Sequence, residues 1–168
     1  VMDRTVKMAK ENGVGIGAHP GLPDLIGFGR RPMQVDPEDV YRFVIYQIGA
    51  LQGFCKLHDV SMQHVKAHGA LYNMAVKDAS IAEVIARAVH DLDPNLILFG
   101  LSGSELVKAG EKFGLSTASE VFADRTYQPD GSLTSRTESN AMITDIEKSV
   151  EQALRMIFDG EVVAVDGT

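Results

Sequence analysis

Leu96-Ile97-Leu98-Phe99 is a run of four apolar residues without a polar interruption, closed by Gly100. A strand with one wet face alternates apolar and polar residues, so a strand that is apolar throughout is covered on both faces, as in parallel sheets. The flanks read as helices: Ser80 caps one that runs through Val89, and Ser102-Gly103-Ser104 opens another that reaches Phe113. Strand, helix and strand again is the order that builds a parallel sheet with helical crossovers. The stretch thus sets the frame for the whole chain, an α/β fold.

The same order recurs along the sequence. Val1 to Asn12 is patterned as a helix stopped by Gly13, and Val14 to Ala18 as a short buried strand. Gly17 to Arg31 follows with four glycines and two prolines, a shaped loop carrying His19, Asp24, Arg30 and Arg31. Asp36-Pro37-Glu38-Asp39 starts a helix that runs to about His58, with Asp as cap and Pro at the first helical position. Its apolar face uses Val40, Phe43, Val44, Ile48, Leu51 and Phe54. Further strands are expected at Met62 to Lys66, Ser116 to Ala123 and Val162 to Val165, and a last helix within Ser139 to Asp159. A closed barrel and an open doubly wound sheet both satisfy this order. Residues 1–168 read as a single domain. Both ends look cut, and the expectation is an interior piece of a longer protein whose open edges do not fold alone.

Composition excludes some classes. A formal charge of −7 argues against a surface that tracks phosphates, so nucleic acid is not an expected partner. No run approaches the length of a membrane span, so no membrane association is expected either. The single cysteine, Cys55, lies in a helical pattern as a buried apolar thiol, which fits a reducing, cytoplasmic compartment.

Chemistry-bearing residues collect after the strands. Val65-Lys66-Ala67-His68-Gly69-Ala70-Leu71-Tyr72-Asn73 sets a lysine, a histidine and an amide at one strand end, with Gly69 permitting a close backbone approach. His19 and Asp24 follow the first strand; Glu120, Asp124 and Arg125 accompany the fourth. In parallel α/β folds these ends share one face. The competing reading is a set of solvated loops with a surface lysine and a turn histidine. His58, His64 and His90 lie at helix ends or on a strand and read as structural or solvated. There is no phosphate-binding Gly-x-x-x-x-Gly-Lys-Ser/Thr loop, no nucleophile elbow and no His-Glu-x-x-His. His19 and His68 are one short of the usual three protein ligands and imply a divalent metal only weakly.

Five motifs in fixed order, His19-Pro-Gly-x-Pro-Asp24, Gly27-Phe-Gly-Arg30, Tyr46-Gln-Ile-Gly-Ala-Leu-Gln52, Val65 to Asn73 and Glu120-Val-Phe-Ala-Asp-Arg125, make the chain resemble the LamB/YcsF family. Thr126-Tyr-x-x-Asp-Gly-x-Leu133, Arg136 and Val165-Asp-Gly-Thr168 extend the likeness to nearly the whole sequence. Ala67 stands where the family usually has proline, and the family's acidic N-terminal motif and its His-Gly-Asp motif are not found. The resemblance implies a seven-stranded β/α barrel related to polysaccharide deacetylases. It also implies ATP-dependent opening of 5-oxoproline to glutamate beside 5-oxoprolinase subunits B and C, with ATP used by the complex. In that scheme His19, Lys66, His68, Asp124 and Arg125 are the catalytic candidates. Asp24, Arg30, Asn73, Glu120 and Arg136 are the candidates for holding the small lactam. Two alternatives stay open: a metal-dependent N-deacetylase or amidohydrolase, and a non-enzymatic lactam carrier.

Overall fold

The computed structural model describes residues 1–168. Four strands, β1 (Ile16–Ala18), β2 (Met62–Lys66), β3 (Ile97–Leu101) and β4 (Thr117–Glu120), form one sheet in the order β1-β2-β3-β4. Every neighbouring pair is parallel. Six helices complete the fold: α1 (Met2–Glu11), α2 (Pro37–Leu57), α3 (Gly69–Lys77), α4 (Ala79–Leu92), α5 (Glu105–Lys112) and α6 (Ile146–Phe158). The sheet has two edges, β1 and β4, and does not close into a barrel within these residues.

The apolar run that framed the sequence leads into β3, with Leu96 just ahead of the strand and Ile97 to Phe99 as its first three residues. Leu98 and Leu101 are fully buried there, together with Val65 of β2. Helix α2 covers the sheet with a stripe at Val40, Val44 and Ile48, four residues apart and completely buried. Helix α4 adds Ile81, Ile85 and Val89 at the same spacing. Burying one such side chain is worth about 1.5–3 kcal/mol, so the α2, α4 and β3 stripes form the part of the chain with most to lose on opening. Helix α6 has an apolar stripe too, but Ile146, Ile157 and Phe158 stay exposed.

Several boundaries differ from the sequence reading for local reasons. Helix α4 starts ahead of Ser80, because Asp78 is its cap and accepts hydrogen bonds from the Ser80 and Ile81 N–H groups. Helix α6 begins only at Ile146, where Asp145 accepts from the Glu147 and Lys148 N–H groups. The residues before it are tied up otherwise, by isolated antiparallel bridges Arg125 to Met142 and Tyr127 to Leu133. The apolar run at Val162 to Val165 is not a strand of the sheet; Ala164 makes one parallel bridge to Tyr127. The expected strand from Ser116 to Ala123 is shorter at both ends and stops at Glu120.

Candidate functional site

The C-terminal ends of β1, β2 and β4 converge on four polar side chains. Ala18 pairs with Val65, which sets His19 beside the end of β2. His19 Nδ1 lies 2.7 Å from the Lys66 carbonyl oxygen, and since a carbonyl only accepts, that nitrogen carries the hydrogen. The other His19 nitrogen, Nε2, lies 2.9 Å from His68 Nδ1, with the two rings edge to face at 4.8 Å between centroids. His68 Nε2 in turn donates to the Phe28 carbonyl at 2.7 Å. The His68 backbone N–H is anchored on the Pro20 carbonyl at 2.8 Å.

The loop after β1 is clasped to the start of α3. Gly69 has φ +55°, and the Ala70 N–H donates to the Gly29 carbonyl at 2.9 Å. A Cβ on Gly69 would stand 2.5 Å from that oxygen, so the glycine after His68 is needed both for its backbone conformation and for the approach of the loop. Phe28, at φ +55°, presents its carbonyl to His68 and stacks its ring edge to face on the imidazole at 5.1 Å.

Beside the histidines, Lys66 forms an ion pair with Glu120 Oε1. Glu120 Oε2 accepts from the Tyr72 hydroxyl at 3.0 Å. The Lys66 ammonium lies 5.8 Å from the centre of the Tyr72 ring and 5.5 Å from that of Phe122. These rings and the carboxylate fix the lysine head, and its remaining N–H bonds are free for a ligand. Burial, followed by the neighbouring Glu120 charge, pushes the Tyr72 phenol well above its ordinary range, so it is a neutral donor. Burial lowers the pKa of His19, against the opposite pull of its bond to the Lys66 carbonyl; the neighbouring His68 and Lys66 charges lower it further.

Of the residues singled out in the sequence, His19, Lys66, His68 and Glu120 come together. The others do not join them by any side-chain hydrogen bond. Asp24 is buried and clamps its own loop, accepting from the Gly27 N–H at 2.9 Å and pairing with Arg31. Arg30 is exposed and lies over the Phe28 ring at 5.4 Å. Arg125 is buried, donating to the Ala141 carbonyl at 3.1 Å and the Thr134 carbonyl at 2.6 Å, so it braces the segment ahead of α6. Asn73, Asp124 and Arg136 are exposed. Sequence reasoning missed Tyr72 and Phe122. Tyr72 was legible only as the position four after His68, one turn along α3. No group of three or more His, Cys, Asp or Glu side chains comes together as a metal-ligand set.

The chain matches the LamB/YcsF family over residues 1–168. It belongs to that family. A LamB/YcsF relative from Halalkalibacterium halodurans, named as the A-subunit of 5-oxoprolinase, is 64% identical over all of this chain and 65% of its own length. Relatives of the same name from Geobacillus kaustophilus and Bacillus subtilis are 63% and 58% identical, with 66% and 65% of their lengths covered. The chain thus spans about two thirds of the length of these relatives. The crystal structure of a lactam utilization protein from Thermus thermophilus superposes with a TM-score of 0.87 at 46% identity, over 99% of this chain and 67% of that one. No helix of the LamB/YcsF chain is long and apolar enough to cross a membrane.

Proposed function

We propose that this chain carries the reacting site of a lactam-opening amide hydrolase component, acting in the ATP-dependent conversion of 5-oxoproline to glutamate with partner subunits B and C. The observation that carries the reading is the cluster of His19, His68, Lys66 and Glu120 at adjacent strand ends. The relatives' shared name, that of a 5-oxoprolinase component, supplies the substrate class.

A five-membered lactam is unstrained and its amide is resonance-stabilised, so coupling to ATP supplies the drive for opening. The chain has no phosphate-binding loop, and ATP is consumed by the assembled complex. Lys66, held by Glu120 and the two rings, stabilises the negative charge that develops on the carbonyl oxygen. The histidine pair moves protons near neutral pH. Arg30, exposed and lying over the Phe28 ring that stacks on His68, is the proposed partner of the substrate carboxylate, which a guanidinium meets with two parallel bonds.

The test is glutamate release from 5-oxoproline and ATP by the reconstituted complex. Changing Lys66→Ala and His68→Ala together is expected to reduce kcat by about 100-fold or more, the usual scale for losing a charge stabiliser or an acid–base group. Unchanged turnover in a folded double variant removes this site from the reaction. Tight lactam binding with no turnover in the full complex would favour a carrier.

A further inference from the structure

The residues that follow β4 have no sheet to hold them. β4 is an edge strand, and the Ser102 N–H to the Glu120 carbonyl, at 2.9 Å, is the last backbone bond tying its end to β3. Two residues on, the Phe122 ring stands 5.5 Å from the Lys66 ammonium and meets the Tyr72 ring edge to face at 6.4 Å between centroids. Backbone groups that leave a ladder need other partners, and here two side chains supply them. The Phe122 N–H donates to the hydroxyl of buried Tyr127 at 2.7 Å. From α6, Gln152 sets its Nε2 2.9 Å from the Phe122 carbonyl oxygen, 3.1 Å from that of Ala123 and 2.8 Å from that of Arg125. Carbonyls only accept, so these oxygens orient the amide with its nitrogen toward the loop, its hydrogens shared among them. Helix α6 thus turns Ser149 and Gln152 toward the loop and leaves Ile146, Val150 and Ile157 in solvent.

We propose that Tyr127 and Gln152 are positioning residues for the reacting site: they grip the two backbone groups of Phe122 and so keep its ring against the Lys66 ammonium, a role that rests on the reading of Lys66 as the charge stabiliser. No hydrogen bond joins either residue to Lys66, so both act through Phe122. Glu120, two residues before Phe122, is the counterion of the same ammonium. A displacement of this short segment therefore disturbs two of the groups that surround the lysine head, one ring and the carboxylate.

The role has a kinetic signature. Losing one ring from beside the ammonium is expected to slow turnover by about 2- to 30-fold, the scale of a single ring–cation contact. The lysine acts on charge that develops only as the carbonyl is attacked, so the loss falls on kcat and leaves KM for the lactam nearly unchanged. A residue that only supports the fold would lower the urea midpoint without this split.

The test is steady-state glutamate release from 5-oxoproline and ATP by the reconstituted complex carrying Tyr127→Phe, Gln152→Met or Phe122→Leu, and carrying each of the first two combined with the third. Tyr127→Phe removes only a hydroxyl, and Gln152→Met keeps the length of the side chain while removing its donors. Each single variant is expected to lose about 2- to 30-fold in kcat with KM for 5-oxoproline within about twofold of the wild type. Adding Tyr127→Phe or Gln152→Met to Phe122→Leu is expected to cost nothing more, because the ring through which they act is already gone. Ser149→Ala gives up a bond to the Ala123 carbonyl alone and is expected to keep the wild-type kcat. Should one variant fail to fold, the other carries the same comparison. Losses that multiply in the double variants would overturn the proposal, since the two residues would then not act through Phe122. Wild-type kcat in the folded single variants, beside a Lys66→Ala complex that has lost turnover, would overturn the proposal alone. Unchanged turnover in Lys66→Ala would overturn the reacting-site reading and the proposal with it.

Discussion

Gly69→Ala separates the two reasons for a glycine behind His68. At φ +55° an alanine adopts a left-handed backbone at a cost of about 1–2 kcal/mol. Its Cβ would also meet the Gly29 carbonyl oxygen at 2.5 Å, and that oxygen is backbone, not the end of a flexible side chain that could swing aside. The loop must move, which breaks or stretches the Ala70 N–H bond to the Gly29 carbonyl and the neighbouring His68 bond to the Phe28 carbonyl, each worth about 0.5–1.5 kcal/mol. The expected total is about 2–5 kcal/mol. Gly103→Ala is the control: its φ of +74° carries the same conformational cost, but nothing lies within 4 Å of its Cβ, so about 1–2 kcal/mol is expected. Urea unfolding of the two variants beside the wild type measures the difference. Equal losses would refute the clasp between the loop and α3, and with it the account of how His68 is positioned.

Glu120→Gln removes the charge that holds Lys66 while keeping an acceptor for Tyr72; kcat is expected to fall by about 10-fold or more with a smaller change in stability, measured by turnover and urea midpoint together. Arg125→Ala leaves the Thr134 and Ala141 carbonyls without their buried donor, so a loss of about 2–4 kcal/mol in urea unfolding is expected, with Arg125→Lys recovering only part of it. The Arg31 guanidinium, with help from the Gly27 N–H, holds the Asp24 carboxyl down at about 2 against an ordinary 3.8. A depressed carboxyl contributes stability above the ordinary value and loses it as pH falls toward the folded one. Denaturant midpoints measured through this window are therefore expected to fall less steeply in Arg31→Ala than in the wild type.

The fold was legible where a single physical signal dominated. The four-residue spacing of Val40, Val44 and Ile48 requires a helix on a sheet, and that helix is present; the unbroken apolar run marks β3 correctly, but only one face is fully covered, with Leu98 buried and Ile97 and Phe99 half-buried. Legibility failed where side chains compete for backbone groups. Ser80 and Asp78 are both good caps, and only the folded backbone shows Asp78 accepting from two N–H groups. The helical pattern within Ser139 to Asp159 could not reveal that its first residues would be drawn into bridges with Arg125 and held by that guanidinium.

The site was legible by the same division. Residues at the ends of parallel strands reach a common face whatever the loops do, which is why His19, Lys66, His68 and Glu120 meet. Residues farther along the loops have a choice of partner, and the sequence does not disclose it. Asp24 finds Arg31 seven residues on, and Arg125 finds carbonyls nine and sixteen residues on, so charged groups that looked equivalent to the strand-end set became braces. The carbonyls are the deeper omission. Every residue has one, so no pattern of side chains marks the carbonyls of Lys66 and Phe28, yet these two oxygens fix which nitrogen of each histidine is protonated. What a sequence can supply is the requirement for close backbone approach: Gly29 and Gly69, both at positive φ, bring the loop against α3 and thereby place the Phe28 carbonyl on His68. The glycines of this motif thus set how the His68 ring is oriented, and a reading confined to titratable residues passes over the backbone groups that hold it.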